Sequence, residues 1–113
     1  MEIRIFKNDN DVYLVELAGS LDLYSSNQLK KLVMKMIENR AERCIINLGK
    51  VDKINSSGIG ALIYVCSTLK KLKCPMSILA TGGPVLHALE VTGLKNYFPV
   101  FRSLKEALGA NGA

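Results

Sequence analysis

Polar and apolar residues alternate in two short runs near the N-terminus, over residues 3–7 and 12–17, with the polar segment 8–11 between them. A period of two is typical of β-strands, and the Asn and Asp residues of the intervening segment favour a turn. The pattern therefore predicts an N-terminal β-hairpin.

A helical period replaces this alternation after residue 25. Ser25 and Gln28 have the spacing of a capping box, so we expect Ser25 to cap the helix and Gln28 to reach back to it. Asp22 then lies in the loop before the helix. Apolar residues recur at helical spacing on one face, and they are Leu29, Leu32, Val33, Met36 and Ile37.

The next apolar segment, residues 44–48, is short and bounded by charged or turn residues, as in an interior parallel strand covered on both faces. It is expected to lead directly into a turn at Ser56 and a second long helix, from about Ser57 to Leu72. Two apolar strips run along this helix, Ile59, Leu62, Ile63, Cys66 and Leu69 in one and Ala61, Tyr64 and Val65 in the other. Either a wide core covers both strips, or the second strip helps to dock a partner protein or a second copy.

Residues 75–80 predict another strand, and Pro84 stands at the start of a short helix that Gly93 is placed to end. That helix carries the single histidine, His87, which we expect to be an ordinary surface residue.

The C-terminal part contains one more strand and one more helix. Residues 97–101 predict a short edge strand, in which Pro99 is tolerable. Ser103 and Glu106 have capping-box spacing for a last helix, and residues 109–113 are expected to form a frayed tail.

The resulting order of elements, β-β-α-β-α-β-α-β-α, predicts a single α/β domain over residues 1–113. Its sheet is mixed and mostly parallel, with four to five strands, an N-terminal antiparallel hairpin and about four helices. Ser56 then follows the carboxyl end of a central strand, which is where open α/β sheets place their sites.

Composition agrees with one globular domain, since the 113 residues are 49% hydrophobic and 22% charged. No apolar run approaches the roughly 20 residues that span a bilayer, and the N-terminus lacks a signal-peptide pattern, so we expect a cytoplasmic protein that does not engage a membrane. The three cysteines, Cys44, Cys66 and Cys74, are odd in number and lack zinc-site spacing. We expect reduced core residues and no bound metal.

The formal charge of +5 raises the possibility of nucleic-acid binding. The lysines are dispersed, however, and no aromatic interleaving or nucleic-acid motif accompanies them. A solvated surface that also suits an acidic protein partner is the favoured interpretation, without direct nucleic-acid contact.

The candidate functional site is the turn where Ser56 and Ser57 precede Gly58 and Gly60. A helix N-terminus carries free N–H groups and about half a positive charge, so it favours a phosphate that is bound there or attached to a serine. Ser is also among the commonest N-cap residues, worth roughly 1 kcal/mol, so a purely structural role is the alternative.

An enzyme or nucleotide-binding protein that cradles phosphate at this turn is a second hypothesis. The sequence contains neither G-x-x-x-x-G-K-[ST] nor G-x-G-x-x-G, and no His and carboxylate grouping surrounds Ser56. We therefore expect no catalysis and no cofactor.

Two segments carry a resemblance to a known family. Residues 55–60, Asn-Ser-Ser-Gly-Ile-Gly, resemble the D-S-S/T/A-G-L-G motif of bacterial anti-sigma factor antagonists, the founding members of the STAS domain family. Residues 19–26, Gly-Ser-Leu-Asp-Leu-Tyr-Ser-Ser, resemble the family's G-x-L/I-D segment. The interval between the two segments fits a helix and a strand, and the resemblance extends over nearly the whole chain.

The resemblance implies a role in partner switching. An unmodified antagonist of this family binds an anti-sigma factor that is also a serine kinase and so frees a sigma factor, and the kinase opposes this by phosphorylating the antagonist. The acceptor position corresponds to Ser56, with Ser57 as the second candidate. The residues implied to contact the partner are Asp22, Asn55, Ser56, Ser57, Gly58, Ile59, Gly60 and Tyr64.

Two positions leave alternatives open. Asp22 matches the family's acidic residue, yet it also suits a purely structural turn. Asn55 stands where the family has Asp, and it keeps the size of that residue but not its charge. A STAS module that binds a partner without being phosphorylated is therefore an alternative. The anti-sigma factor, the sigma factor, the stimulus and the oligomeric state are not identified by the sequence.

Overall fold

Strands and helices follow one another in the predicted order. A computed structural model describes residues 2–109. Its elements are β1 (Glu2–Lys7), β2 (Val12–Leu21), α1 (Leu23–Glu38), β3 (Arg43–Ile54), α2 (Ser56–Lys71), β4 (Met76–Leu79), α3 (Gly83–Val91), β5 (Val100–Phe101) and α4 (Leu104–Gly109). Of the predicted tail, Gly109 ends α4 and residues 110–113 lie outside the described part.

The five strands form one sheet in the order β1-β2-β3-β4-β5. β1 pairs with β2 in antiparallel fashion, with Ile3 opposite Leu17, and every other pair is parallel. The predicted hairpin and the mixed, mostly parallel α/β sheet are therefore confirmed, and β3 is its central strand.

Alternation along β3 divides the core between the two faces of the sheet. Cys44, Ile46 and Leu48 point into the larger core, whereas Ile45 faces the other side together with Leu79 and Ala107 of α4. Three helices cover the larger core through the residues Leu29, Val33 and Met36 of α1, Leu62, Val65 and Leu69 of α2, and Val85 and Leu89 of α3. The stripe predicted for α1 lies against this core.

The start of α1 differs from the prediction. Asp22 is the N-cap, and its Oδ1 accepts a hydrogen bond from the Ser25 amide at 3.0 Å, while the Ser25 Oγ accepts one from the Asp22 amide at 2.8 Å. Ser25 therefore completes the capping box instead of opening one, and the predicted return bond from Gln28 is wrong. A carboxylate is an effective cap, and capping at Asp22 lets the helix begin at Leu23.

β3 is longer than predicted, because the strand continues from Leu48 to Ile54 before the turn. β2 is correspondingly long and pairs along it, with Gly19 opposite Val51 and Leu21 opposite Ile54, through two register shifts. The exposed charges of this half of β3 conceal its strand character, whereas Val51 is buried.

The C-terminal elements keep their predicted order with adjusted ends. β5 contains only two residues, and Tyr97 and Phe98 lie before it. Their rings pack edge-on with centroids 4.9 Å apart. The Ser103 Oγ accepts the Glu106 amide at 3.1 Å, but the Glu106 carboxylate reaches the amide of Arg102, one residue before the predicted partner. Gly93 follows α3 with a φ of 73°, as its predicted role at the helix end requires.

Candidate functional site

The candidate site begins where β3 ends and α2 starts. Asn55 is the N-cap of α2, and its Oδ1 accepts a hydrogen bond from the Gly58 amide at 3.1 Å. The alternative that a serine caps this helix is therefore wrong, because the side-chain oxygen of Asn55 already does so. No hydrogen bond among residues 2–109 engages the Ser56 hydroxyl, and the residue is exposed. Ser56 consequently presents a free hydroxyl on the first turn.

Two backbone amides of this turn have no protein acceptor among residues 2–109. Within the described part of the chain, the N–H groups of Ser56 and Ser57 donate to no protein atom, whereas Gly58 N–H is taken by Asn55. These are the orphan donors of a helix N-terminus, at the positive end of its dipole. The turn therefore suits an anionic group on or beside Ser56.

Gly58 is buried and allows the helix to approach β2 closely. A Cβ at this position would lie 2.5 Å from the Leu21 carbonyl oxygen and 2.9 Å from the Ile54 Cγ1. The Leu21 carbonyl also accepts the Asn55 amide at 3.3 Å. Gly58 therefore lets the first turn of α2 pack directly against the end of β2.

Gly60 differs from Gly58 because it is exposed, and no atom of the described part of the chain lies within 4 Å of an added Cβ. It lies one helical turn after Ser56 and one before Tyr64, so the three residues form an exposed strip on α2. Tyr64 is 49% exposed, and the Lys30 Nζ lies 5.0 Å from the centre of its ring. The other two members of the second apolar strip, Ala61 and Val65, are buried, so a wide core covers that strip except at Tyr64.

Asp22 and the Ser56 turn are neighbours in the structure. The Ser26 Oγ donates to the Ser57 carbonyl at 3.3 Å, which joins the first turn of α1 to the first turn of α2. The Ser25 amide, and after it the Ser25 hydroxyl, hold the pKa of the exposed Asp22 carboxyl below its usual value. Asp22 is therefore a charged cap beside the candidate acceptor.

The structure adds two exposed apolar residues that the sequence analysis left without a role. Leu23 and Tyr24, on the first turn of α1, are 65% and 73% exposed. Large apolar side chains this open are a signal of an interaction surface when they cluster. Their position directly after Asp22 was the available signal in the sequence.

A cleft of about 620 Å³ lies beside the turn, lined by residues that include Asp22, Asp52, Lys53, Asn55 and His87. His87 is exposed, as predicted for a surface histidine, but it shares the cleft because α3 begins at the same edge of the sheet as α2. Among residues 2–109, no group of three His, Cys, Asp or Glu side chains is placed to hold a metal ion.

None of the helices that the structure describes is long and apolar enough to cross a membrane.

Comparison with known proteins gives one consistent result. A family model described as the STAS domain matches residues 4–107. An anti-sigma-B factor antagonist of Staphylococcus epidermidis is 25% identical over 91 residues, which cover 80% of this chain and 84% of that protein.

Solved structures agree with this result at the level of the fold. An anti-sigma factor antagonist from Mycobacterium paratuberculosis has a TM-score of 0.82 at 22% identity, over 95% of this chain and 90% of that one. The antagonist SpoIIAA in its unphosphorylated form has a TM-score of 0.78 at 18% identity, covering 95% and 93%. The phosphorylated form of SpoIIAA, a Bacillus cell fate determinant, has a TM-score of 0.71 at 18% identity, covering 95% and 96%.

Proposed function

This chain belongs to the STAS domain family, and from that premise we propose that it is a cytoplasmic anti-sigma factor antagonist and not an enzyme. It binds an anti-sigma factor with serine kinase activity and so frees a sigma factor. Relatives named anti-sigma-B factor antagonist support this role. The observation that carries the proposal is the exposed hydroxyl of Ser56 at the start of α2, which has no hydrogen bond to any residue from 2 to 109.

Phosphorylation of Ser56 switches the interaction off. The phosphate brings about −1.5 to −2 charges, and the free amides of Ser56 and Ser57 and the helix dipole accommodate them with little cost to the fold. A partner that packs against a neutral hydroxyl must then desolvate a doubly charged group. Ser57 is the second candidate acceptor, since it is half-buried and its carbonyl is held by Ser26.

The surface that binds the partner is the exposed strip of Ser56, Gly60 and Tyr64 on α2, flanked by Ser57 and Ile59. Gly60 lets a partner backbone approach the helix, and Tyr64 offers an amphipathic ring beside the Lys30 cation. Asp22, the N-cap of α1, and Asn55, the N-cap of α2, border this surface. Gly58 lies on the buried side of the same turn. We extend the surface to the neighbouring Leu23 and Tyr24.

Asn55 caps α2 as an aspartate at the same position would, so it can replace the family's Asp in its structural role. A carboxylate at this position caps a helix in the same way as the Asn55 Oδ1. The substitution therefore leaves the acceptor geometry intact and removes one negative charge beside the phosphate. A module that binds its partner without being phosphorylated is the outcome if the kinase requires that charge.

The mixed-charge cleft beside the turn is the observation that favours the second candidate, a phosphate- or nucleotide-binding protein. Its Lys53 and His87 are cationic or titratable groups, but Asp22 and Asp52 oppose an anion there. We therefore rank this candidate below the partner switch.

Mass spectrometry of the protein incubated with ATP, magnesium and candidate anti-sigma kinases from its own source tests the proposal. We expect one added phosphate on Ser56 and a weakened complex. Ser56→Ala should bind the partner without accepting phosphate, and Ser56→Asp should lose binding. Ser57→Ala separates the two candidate acceptors, because it should still accept the phosphate; if Ser57→Ala and not Ser56→Ala prevents phosphorylation, Ser57 is the acceptor.

Three other outcomes contradict parts of the proposal. A complex that forms with every cognate kinase but accepts no phosphate would leave a constitutive binding module. If no anti-sigma factor binds, the partner class is wrong. ATP turnover by the chain alone that Ser56→Ala abolishes would favour an enzyme.

A further inference from the structure

A second cavity, of about 600 Å³, lies far from Ser56, where α2 ends and β4 begins. Its lining is mostly apolar and includes Cys66 and Lys70 of α2, Met76 of β4, and Tyr97 and Pro99 before β5. Small-molecule sites typically enclose about 300–1,000 Å³ with an apolar wall and a few polar groups. Since α2 is about 24 Å long, this cavity is a separate feature from the Ser56 turn.

Two lysines line the cavity, Lys70 and Lys73. No ion pair in the described part of the chain engages either ammonium group. Backbone hydrogen bonds close the end of α2 beside these lysines. Lys73 adopts a φ of 59° and donates its amide to the Lys70 carbonyl at 3.1 Å, and the Cys74 amide donates to the Leu69 carbonyl at 2.9 Å.

We propose that this cavity binds a small amphipathic carboxylate, whose apolar tail or ring enters the pocket and whose anionic group meets Lys70 and Lys73. Burial of the tail supplies the affinity, and the two ammonium groups select the charge. Met76 adapts to irregular apolar shapes through its flexible thioether. Binding in this cavity is independent of the function of Ser56.

Two polar groups in or near the cavity are not expected to bind the carboxylate. The Tyr97 hydroxyl is paired with the Ser67 Oγ at 3.3 Å, so the ring lines the pocket while its polar end is already bonded. Glu42 is close enough to Cys74 to raise the pKa of that thiol after the larger effect of burial. Glu42 does not line the cavity, but its negative charge near Cys74 opposes an anionic ligand.

Titration with decanoate, followed by amide chemical shifts, tests the proposal on the intact protein. We expect saturable shifts at Cys66, Met76 and Tyr97. Decyltrimethylammonium, which pairs a comparable tail with a cation, should not bind there. The double variant Lys70→Gln/Lys73→Gln should weaken decanoate binding by about tenfold or more.

Lys31→Gln/Lys35→Gln is the matched control, because it removes the same charge from exposed positions on α1 and should leave the affinity unchanged. Glu42→Gln should strengthen binding. The proposal is overturned if decanoate causes no shift up to about 1 mM. It is equally overturned if both lysine pairs weaken binding alike, or if the cationic analogue binds as well as decanoate.

Discussion

The Ser26 hydroxyl donates a hydrogen bond to the Ser57 carbonyl at 3.3 Å, so the first turns of two helices are joined beside the candidate acceptor. Ser26 is buried, and its partner carbonyl belongs to the helix that presents Ser56. The position of the acceptor thus depends on α1 as well as on the strand that precedes it.

Ser26→Ala should lower the free energy of unfolding by about 1 kcal/mol, because a buried hydrogen bond is lost and the Ser57 carbonyl loses its side-chain donor. Urea unfolding measures the change. The same substitution at the exposed, unbonded Ser56 should change stability by less than about 0.5 kcal/mol. Equal effects at the two positions would contradict the assigned contact.

Two substitutions test whether the side chain of Asn55 caps α2, and we expect them to change stability in opposite directions. Asn55→Ala removes the cap of α2 and should cost about 1 kcal/mol of stability. Asn55→Asp keeps the acceptor oxygen and places a negative charge at the positive end of the helix, so it should be neutral or stabilising by about 0.3–1 kcal/mol. A loss of stability in the Asp variant as large as in the Ala variant would show that Asn55 does not cap through Oδ1.

Gly58 and Gly60 offer a matched pair of substitutions on one helix. Gly58→Ala should destabilise by about 1–3 kcal/mol or more, since its Cβ would collide with the Leu21 carbonyl. Gly60→Ala meets nothing and should stabilise the helix by about 0.5–1 kcal/mol.

Partner binding tests whether Gly60 also belongs to the interface. If Gly60 faces the partner, Gly60→Ala should weaken the complex while it raises the thermal midpoint. A variant that is stabilised and binds normally would remove Gly60 from the interface.

The half-buried Cys66 predicts a pH dependence of thiol reactivity. Burial raises the pKa of this thiol, and the nearby Lys70 charge offsets part of the increase. Because the thiolate is the reactive form, the midpoint of alkylation by iodoacetamide should lie above that of a free cysteine. Lys70→Gln should move the midpoint to still higher pH, whereas Lys71→Gln on the exposed side serves as the control. An unchanged midpoint in Lys70→Gln would show that the ammonium does not act on this thiol.

Periodicity predicted the elements well where one face is buried. The α1 stripe from Leu29 to Ile37 and the alternation of the hairpin each report a buried surface directly. The C-terminal half of β3 was missed because Lys50, Asp52 and Lys53 are exposed, so that its charges resemble those of a loop.

The ends of helices were harder to predict than their existence. Asp22 with Ser25, and Ser25 with Gln28, have the same capping-box spacing, and only the three-dimensional course of the chain selects the first pair. At α2 only a serine was considered as the cap, whereas the structure gives that role to Asn55.

The place of the site followed from the order of the elements, but part of its construction did not. Position 58 requires a glycine because a Cβ there would collide with the Leu21 carbonyl. Since Leu21 is distant in sequence, the local pattern gave no reason for this glycine. The cleft residue His87 reaches the same edge only through the placement of α3.

The unequal lengths of β3 and β4 have a consequence for what lies beside the Ser56 turn. β4 ends at Leu79, opposite Asn47, and β3 then continues seven residues further to Ile54, a distance of about 23 Å. Within residues 2–109 no strand pairs with β3 on that side of this overhang. Helix α3 lies beside the overhang instead, because its Pro84 and His87 share a cleft with Asp52 and Lys53. A protein that approaches Ser56 from this side would therefore meet α3 and not a bare strand edge.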